Sequence, residues 1–154
     1  MISEEKLNEI KQIFKEFFRK TSFDVEVYFL PIDDNTLPIE IKTSEPQILI
    51  GERGQTLFDL QHILKAILRK NIEESLCVNV DVNGYKKKKI EYLKELANST
   101  ADEVFLSKKE KELTPMRAFE RRVIHMELAD RSDVITKSTG EEPNRKVVIK
   151  PSSA

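Results

Sequence analysis

Cysteine is almost missing from this chain. Of 154 residues only Cys77 carries a thiol, so no intrachain disulfide can form, and a reducing intracellular setting is favoured. Histidine is nearly as scarce: His62 and His125 cannot complete a zinc cluster with one cysteine unless carboxylates join, and no spacing points to that. No apolar run approaches the roughly 18 residues of a membrane span. The opening Ile2-Ser3-Glu4-Glu5-Lys6 lacks the basic-then-apolar order of a secretory signal. These absences point to a cytoplasmic protein without a metal or other cofactor and without membrane insertion. Excess positive charge is missing too, because the net charge is −1.

What is present is unevenly spread. Residues 21–48 carry one Lys against six acids, whereas residues 85–154 carry sixteen Lys and Arg against twelve acids. Such polarity points to an electrostatic partner on one side of the molecule. Hydrophobic content of 39% is enough for modest cores, in one domain or two small ones.

Periodicity orders the first half. Leu7, Ile10, Ile13, Phe14, Phe17 and Phe18 recur at helical spacing over residues 3–19. Phe23, Val25, Val27 and Phe29 alternate with polar residues, predicting a strand over 23–30. Asp33-Asp34-Asn35 supplies a turn, and Leu37, Ile39 and Ile41 a second strand. Ser44 and Gln47 fit a capping box ahead of a short helical turn through Ile48 and Leu49. Leu57, Leu60, Leu64, Ile67 and Leu68 mark a helix from Thr56 to about Lys70, and 77–82 reads as a third strand closed by Asn83-Gly84. The order is α-β-β-α-α-β.

Between the two central helices stands Ile50-Gly51-Glu52-Arg53-Gly54-Gln55-Thr56-Leu57. Glycine at both ends of a four-residue loop opens backbone angles closed to other residues, and leaves room for a sugar-phosphate chain to approach. Amides at the helix start favour an anion. Arg53 offers a fork for phosphate oxygens; Glu52 opposes it. Lys65 and Arg69 extend the positive surface along the helix.

In the second half a long helix is expected from Tyr85 to about Phe105, with Ile90, Leu93, Leu96, Ala97, Ala101 and Val104 on its buried side. Its start holds Lys86, Lys87, Lys88 and Lys89, four cations suited to phosphate attraction at the junction of the two units. A charged loop over 107–112 follows. Thr114-Pro115 reads as the opening of a helix over 115–129 with Phe119, Val123 and Met126 on one side. Strands are expected over 134–136 and 146–149, joined by a loop with Gly140, and 151–154 reads as a loose tail. Within the helix, Arg121 and His125 lie one turn apart on a shared face, which Arg117 extends. A guanidinium beside an imidazole suits a phosphate or a base edge. Arg122, Arg145 and Lys146 are lesser candidates.

Two resemblances follow from these strings. The α-β-β-α-α-β order with Leu49-Ile50-Gly51-x-x-Gly54-Gln55-Thr56-Leu57 resembles the type II KH domain, whose loop clamps about four nucleotides of a single strand. That likeness implies a clamp of Gly51, Glu52, Arg53 and Gly54, with Ile50 and Leu57 bordering a base groove. The blocks Leu113-Thr114-Pro115-Met116, Glu120-Arg121-Arg122-x-Ile124-His125 and Gly140-Glu141-Glu142-Pro143-x-Arg145-x-Val147-Val148-Ile149 resemble the R-3-H domain, which implies single-stranded nucleic-acid contact through Arg121 and His125. The tandem is similar to the Jag family of bacterial RNA-binding proteins. Many members begin with a further N-terminal domain and a charged linker, which are not read in these residues. Functions resting on that segment are therefore not implied.

The expected fold is α+β, with a KH-like domain over 1–84 and an α/β R-3-H domain with a small antiparallel sheet over 85–150. The expected function is binding of single-stranded RNA, or DNA, in post-transcriptional regulation or as an RNA chaperone. The alternative is an adaptor that pairs with another small KH protein, as a heterodimer or homodimer. Catalysis is not expected: a base at His125 would need a second titratable partner, and Glu120 and Glu127 stand at poor offsets for it. Few aromatics (Phe58, Tyr85, Tyr92) lie near the motifs, so base stacking and sequence preference are expected to be modest.

Overall fold

The computed structural model describes residues 2–72 and 76–153. The chain divides into two units, Met1–Lys86 and Lys87–Ala154. No helix among the described residues is long and apolar enough to cross a membrane.

The first unit contains α1 (Glu4–Arg19), β1 (Glu26–Phe29), β2 (Thr36–Lys42), α2 (Pro46–Ile50), α3 (Gln55–Asn71) and β3 (Cys77–Val82), the expected order. Ser3 caps α1 by accepting the Lys6 amide, and Glu4 and Glu5 complement the dipole of its first turn. Strand order is β1-β2-β3, with β2 antiparallel to β1 and parallel to β3. Alternation does the sorting here. Leu37, Ile39 and Ile41 of β2 and Val78, Val80 and Val82 of β3 join Ile10, Phe14 and Phe18 of α1 and Leu57, Leu60, Leu64 and Leu68 of α3 in one core. The opposite sheet face carries Tyr28, Lys42 and Asn79.

Two local expectations are corrected. β1 starts at Glu26, and Phe23 lies before it, exposed. The residue before α2 is Glu45, not Ser44, and no side chain caps this helix. The cause is a competing set of bonds: the Thr43 hydroxyl takes the Glu45 amide, while the Asn83 side chain accepts from the Thr43 amide and donates to its carbonyl. Pro46, which has no amide to cap, opens the helix instead.

The second unit holds most of α4 (Tyr85–Ser107), then β4 (Lys111–Glu112), α5 (Ala118–Glu127), β5 (Val134–Thr139) and β6 (Lys146–Pro151). Its sheet runs β4-β6-β5, all antiparallel. Leu93, Ala97, Ala101 and Val104 of α4 pack with Ile124, Leu128, Val134, Val147 and Ile149. Ile90 and Leu96 are half-buried, and Thr100 is buried on the same side.

The first two corrections here share one cause, the pairing power of β6 and the residue before it. The charged loop contains a strand, because Lys111 and Glu112 pair with Ile149 and Val148. α5 begins three residues later than the Thr114-Pro115 signal suggests, since the Leu113 amide donates to the Val147 carbonyl and the Met116 amide to the Arg145 carbonyl. Glu120 then closes the helix start by accepting the Arg117 amide. The buried side of α5 is Arg121, Ile124 and Leu128, and Phe119 and Met126 face solvent. Thr139 and Pro151 end longer strands than expected, and the Ser152 amide donates to the Asp133 carbonyl, so the tail is tied down at least that far. Ala154 lies outside the described residues.

The turn between α2 and α3 yields a test. Gly51 and Gly84 both have positive φ, +72° and +69°. A Cβ on Gly51 would sit 2.1 Å from the Thr56 hydroxyl oxygen, whereas one on Gly84 would meet nothing within 4 Å. Gly84→Ala therefore carries only the conformational penalty, about 1 kcal/mol, and Gly51→Ala adds a clash of about 1 kcal/mol or more. Urea unfolding should rank them in that order.

Candidate nucleic-acid interface

Three backbone conformations shape the loop that follows α2. Gly51 stands at φ +72°, Arg53 at φ +52° and Gly54 at φ +76°. The chain thus leaves α2, passes a single 3-10 turn over Glu52–Gly54 and enters α3. Glu52 and Arg53 are exposed at the tip, while Gly54 is buried. Tyr85 explains that burial: a Cβ on Gly54 would lie 3.1 Å from its ring and hydroxyl. No side chain caps α3, so its first amides face the loop without a carboxylate or hydroxyl from the capping position.

The base groove inferred from resemblance is altered in one place. Leu57 is only 3% exposed and belongs to the core, so it supports the loop from behind; Ile50 is half-buried beside it. One turn into α3, however, Phe58 is 46% exposed and its ring lies 4.4 Å from that of His62. The sequence reading misses this aromatic pair in His62, because a lone histidine at i+4 gives no signal by itself.

The lysine run is not uniform. The Lys86 ammonium is half-buried and donates to the Gln61 side chain at 2.8 Å and to Asn79 at 2.5 Å. Burial lowers its pKa, against the attraction of Asp81 and with help from Lys65. Its charge is met by neutral amide oxygens. Lys89 is ion-paired with Glu120 at 3.5 Å, within the second unit. Lys87 and Lys88 are exposed.

In the second unit, Arg121 and His125 do share a side of α5, yet their surroundings differ. Arg121 is 7% exposed. One end of its guanidinium donates to the Met116 carbonyl at 2.6 Å and the other pairs with the Glu142 carboxylate at 2.8 Å. It ties the segment before α5 to the loop before β6. Among the described residues no buried side-chain polar atom lacks a partner. His125 is half-buried, with Nδ1 at 2.7 Å from Thr136 Oγ1 and Nε2 at 2.7 Å from Ser138 Oγ. Arg122 is exposed. Arg145 donates to the Gly140 carbonyl at 2.7 Å, and Lys146 pairs with Glu112. Thr136 and Ser138 are the residues that sequence reasoning misses, and for Glu142, quoted in the motif block, it misses the pairing with Arg121. A strand ending at Thr136 does not carry its two-residue period on to Ser138.

Residues 91–151 match the R-3-H domain family. The chain is 36% identical over 116 residues to the "RNA-binding protein KhpB" of Clostridium symbiosum, covering 75% of this chain and 52% of that protein. It is 37% identical over 111 residues to that of Lactiplantibacillus plantarum, covering 72% and 34%, and 36% identical over 116 residues to that of Bacillus subtilis, covering 74% and 56%. The chain thus spans between about a third and somewhat over half of these relatives.

Burial, and then the positive charge of Arg121, lower the pKa of His125 below 6.5. A base whose pKa is depressed on folding binds fewer protons folded than unfolded, so stability rises with pH across that window. His125 therefore contributes in full above pH 6.5 and loses its contribution as pH falls through its folded pKa. An NMR titration should place the His125 ring midpoint below 6.5. In His125→Gln, that share of the acid destabilisation should disappear.

Proposed function

From the R-3-H domain at residues 91–151 and the kinship with RNA-binding proteins named KhpB, we propose that this chain binds single-stranded RNA at two linked sites. The first is a KH-like grip at Gly51, Glu52, Arg53 and Gly54. The second is the face of α5 and β5 around His125, with Arg121, Arg122 and Arg145 about it. The role is binding without catalysis, in the cytoplasm, in post-transcriptional control or as an RNA chaperone.

The observation that carries the first site is the pair of glycines at φ +72° and +76°, which hold an exposed two-residue tip beside the start of α3, where no side chain caps the helix. A phosphate at that tip meets backbone donors, the helix dipole and the Arg53 fork. Glu52 opposes it by about 1 kcal/mol or less, because water and salt screen an exposed carboxylate. Phe58 and His62 give a neighbouring base a surface on which to stack. In the second site Arg121 acts mainly by position: its guanidinium is committed to Met116 and Glu142, so it shapes the face that His125 occupies. Two weak grips on one flexible strand reinforce each other by raising the effective concentration at the second. Lys87 and Lys88, exposed near the start of α4, add positive potential, whereas Lys86 is held by Gln61 and Asn79.

Fluorescence anisotropy with a single-stranded RNA oligonucleotide tests the reading. A strand neutralised at about three phosphates loses roughly tenfold or more in affinity between about 50 and 200 mM salt. Arg53→Glu should weaken binding and Glu52→Lys strengthen it, each by roughly fivefold, or about 1 kcal/mol. Opposite changes at two exposed neighbours are not explained by misfolding. Affinity indifferent to salt and to both substitutions would refute the first grip.

A further inference from the structure

Both ring nitrogens of His125 are engaged by hydroxyls, Thr136 on one side and Ser138 on the other, each at 2.7 Å. A neutral imidazole carries one N–H and one bare nitrogen. The two hydroxyls therefore cannot be in the same state. The one that accepts the ring proton keeps its own hydrogen to donate outward. The one that donates to the bare nitrogen is left with lone pairs alone. Thr136 and Ser138 stand two apart on β5, so both side chains project from the same face of the strand, and both are half-buried rather than sealed. The imidazole thus polarises the pair into one donor and one acceptor, presented on either side of the ring.

Nucleic acids fill these two roles unequally. Acceptors are everywhere, on phosphates, sugar oxygens and base carbonyls. Donors are few, because phosphates and the deoxyribose ring have none. Only a ribose 2′-hydroxyl or a base N–H can bond to the acceptor hydroxyl. A site made for phosphate alone would have no use for that acceptor.

We infer that Thr136 and Ser138, polarised by His125, form a reader for a hydrogen-bond donor on a single-stranded nucleotide, the 2′-hydroxyl or a base N–H, beside an acceptor on the same strand. This rests on the RNA-binding reading above and adds a chemical selectivity to it. The reader distinguishes strands through neutral hydrogen bonds, while the exposed cations nearby do not.

The full chain serves for the test. Long-range proton–nitrogen NMR of the free protein should show His125 as one tautomer, with one protonated and one bare nitrogen. Thr136→Val combined with Ser138→Ala should replace that signature by a tautomer mixture, and Thr136→Ser should restore it on the threonine side. Binding is then compared among an oligouridine, its 2′-deoxy counterpart and an oligouridine methylated at N3. One modified strand should bind roughly fivefold more weakly than the oligouridine, which identifies the donor, and the double variant should erase that difference. A melting temperature near that of the native chain shows the double variant to be folded; if it is not, Thr136→Val and Ser138→Ala carry the comparison singly, with Thr136→Ser as the control that keeps the difference. A tautomer mixture in the native chain overturns the proposal. So does binding in which neither modification matters while unmodified RNA is still held, and then the RNA-binding reading survives. If no strand binds at all, both readings fall.

Discussion

A single guanidinium organises the second unit. Arg121 is buried with its charge, and such a group persists in a small core only when its donors are met. Here the Met116 carbonyl and the Glu142 carboxylate meet them, and these two partners come from segments far apart in sequence. The bond to Met116 fixes the strand-like run that precedes α5, which is also held by the Leu113 and Met116 amides on β6. The bond to Glu142 fixes the loop that leads into β6. One turn later on α5, His125 then meets a β5 whose position is already set. Removing Arg121 would leave a buried carbonyl short of a donor and a carboxylate short of a counter-charge, so its loss is a loss of architecture before it is a loss of contact.

The first unit relies on backbone geometry instead of charge. Two glycines at positive φ turn the chain from a five-residue helix into α3, and each is required by a neighbour: Thr56 closes on Gly51, and Tyr85 lies on Gly54. Leu57 anchors the loop in the core one residue beyond Thr56. The result is a rigid frame around two exposed residues, Glu52 and Arg53, of opposite charge. Nothing at this tip depends on a net positive protein, so the net charge of −1 does not weigh against the proposed phosphate contact there.

Much of this is legible in the residues themselves. Period-two and period-3.6 patterns place α1, α3, β2 and β3, because each of those elements buries one clear face, and they place β1 with a start three residues too early. Legibility fails where a long-range bond outcompetes a local signal. Thr114-Pro115 is a good helix opening in isolation, yet β6 captures it. Ser44 is a good cap in isolation, yet Thr43 and Asn83 settle the local bonds without it. In the candidate sites, the glycine loop and the Arg121–His125 pair can be read from spacing. The partners that decide what those residues do cannot: Thr136, Ser138 and Tyr85 lie far along the chain and carry no motif of their own, and Glu142 stands in a motif block that does not reveal its pairing with Arg121. Spacing alone offers Arg121 as a contact, and its burial assigns it first to support.

Mapping amide shifts in a proton–nitrogen correlation spectrum during titration with a short single-stranded RNA bears most directly on the two-grip account. The account predicts that amides of residues 51–57 and those of residues 125 and 136–140 move together over the same range of RNA concentration. Shifts confined to other surfaces, or a spectrum that does not change, would contradict it.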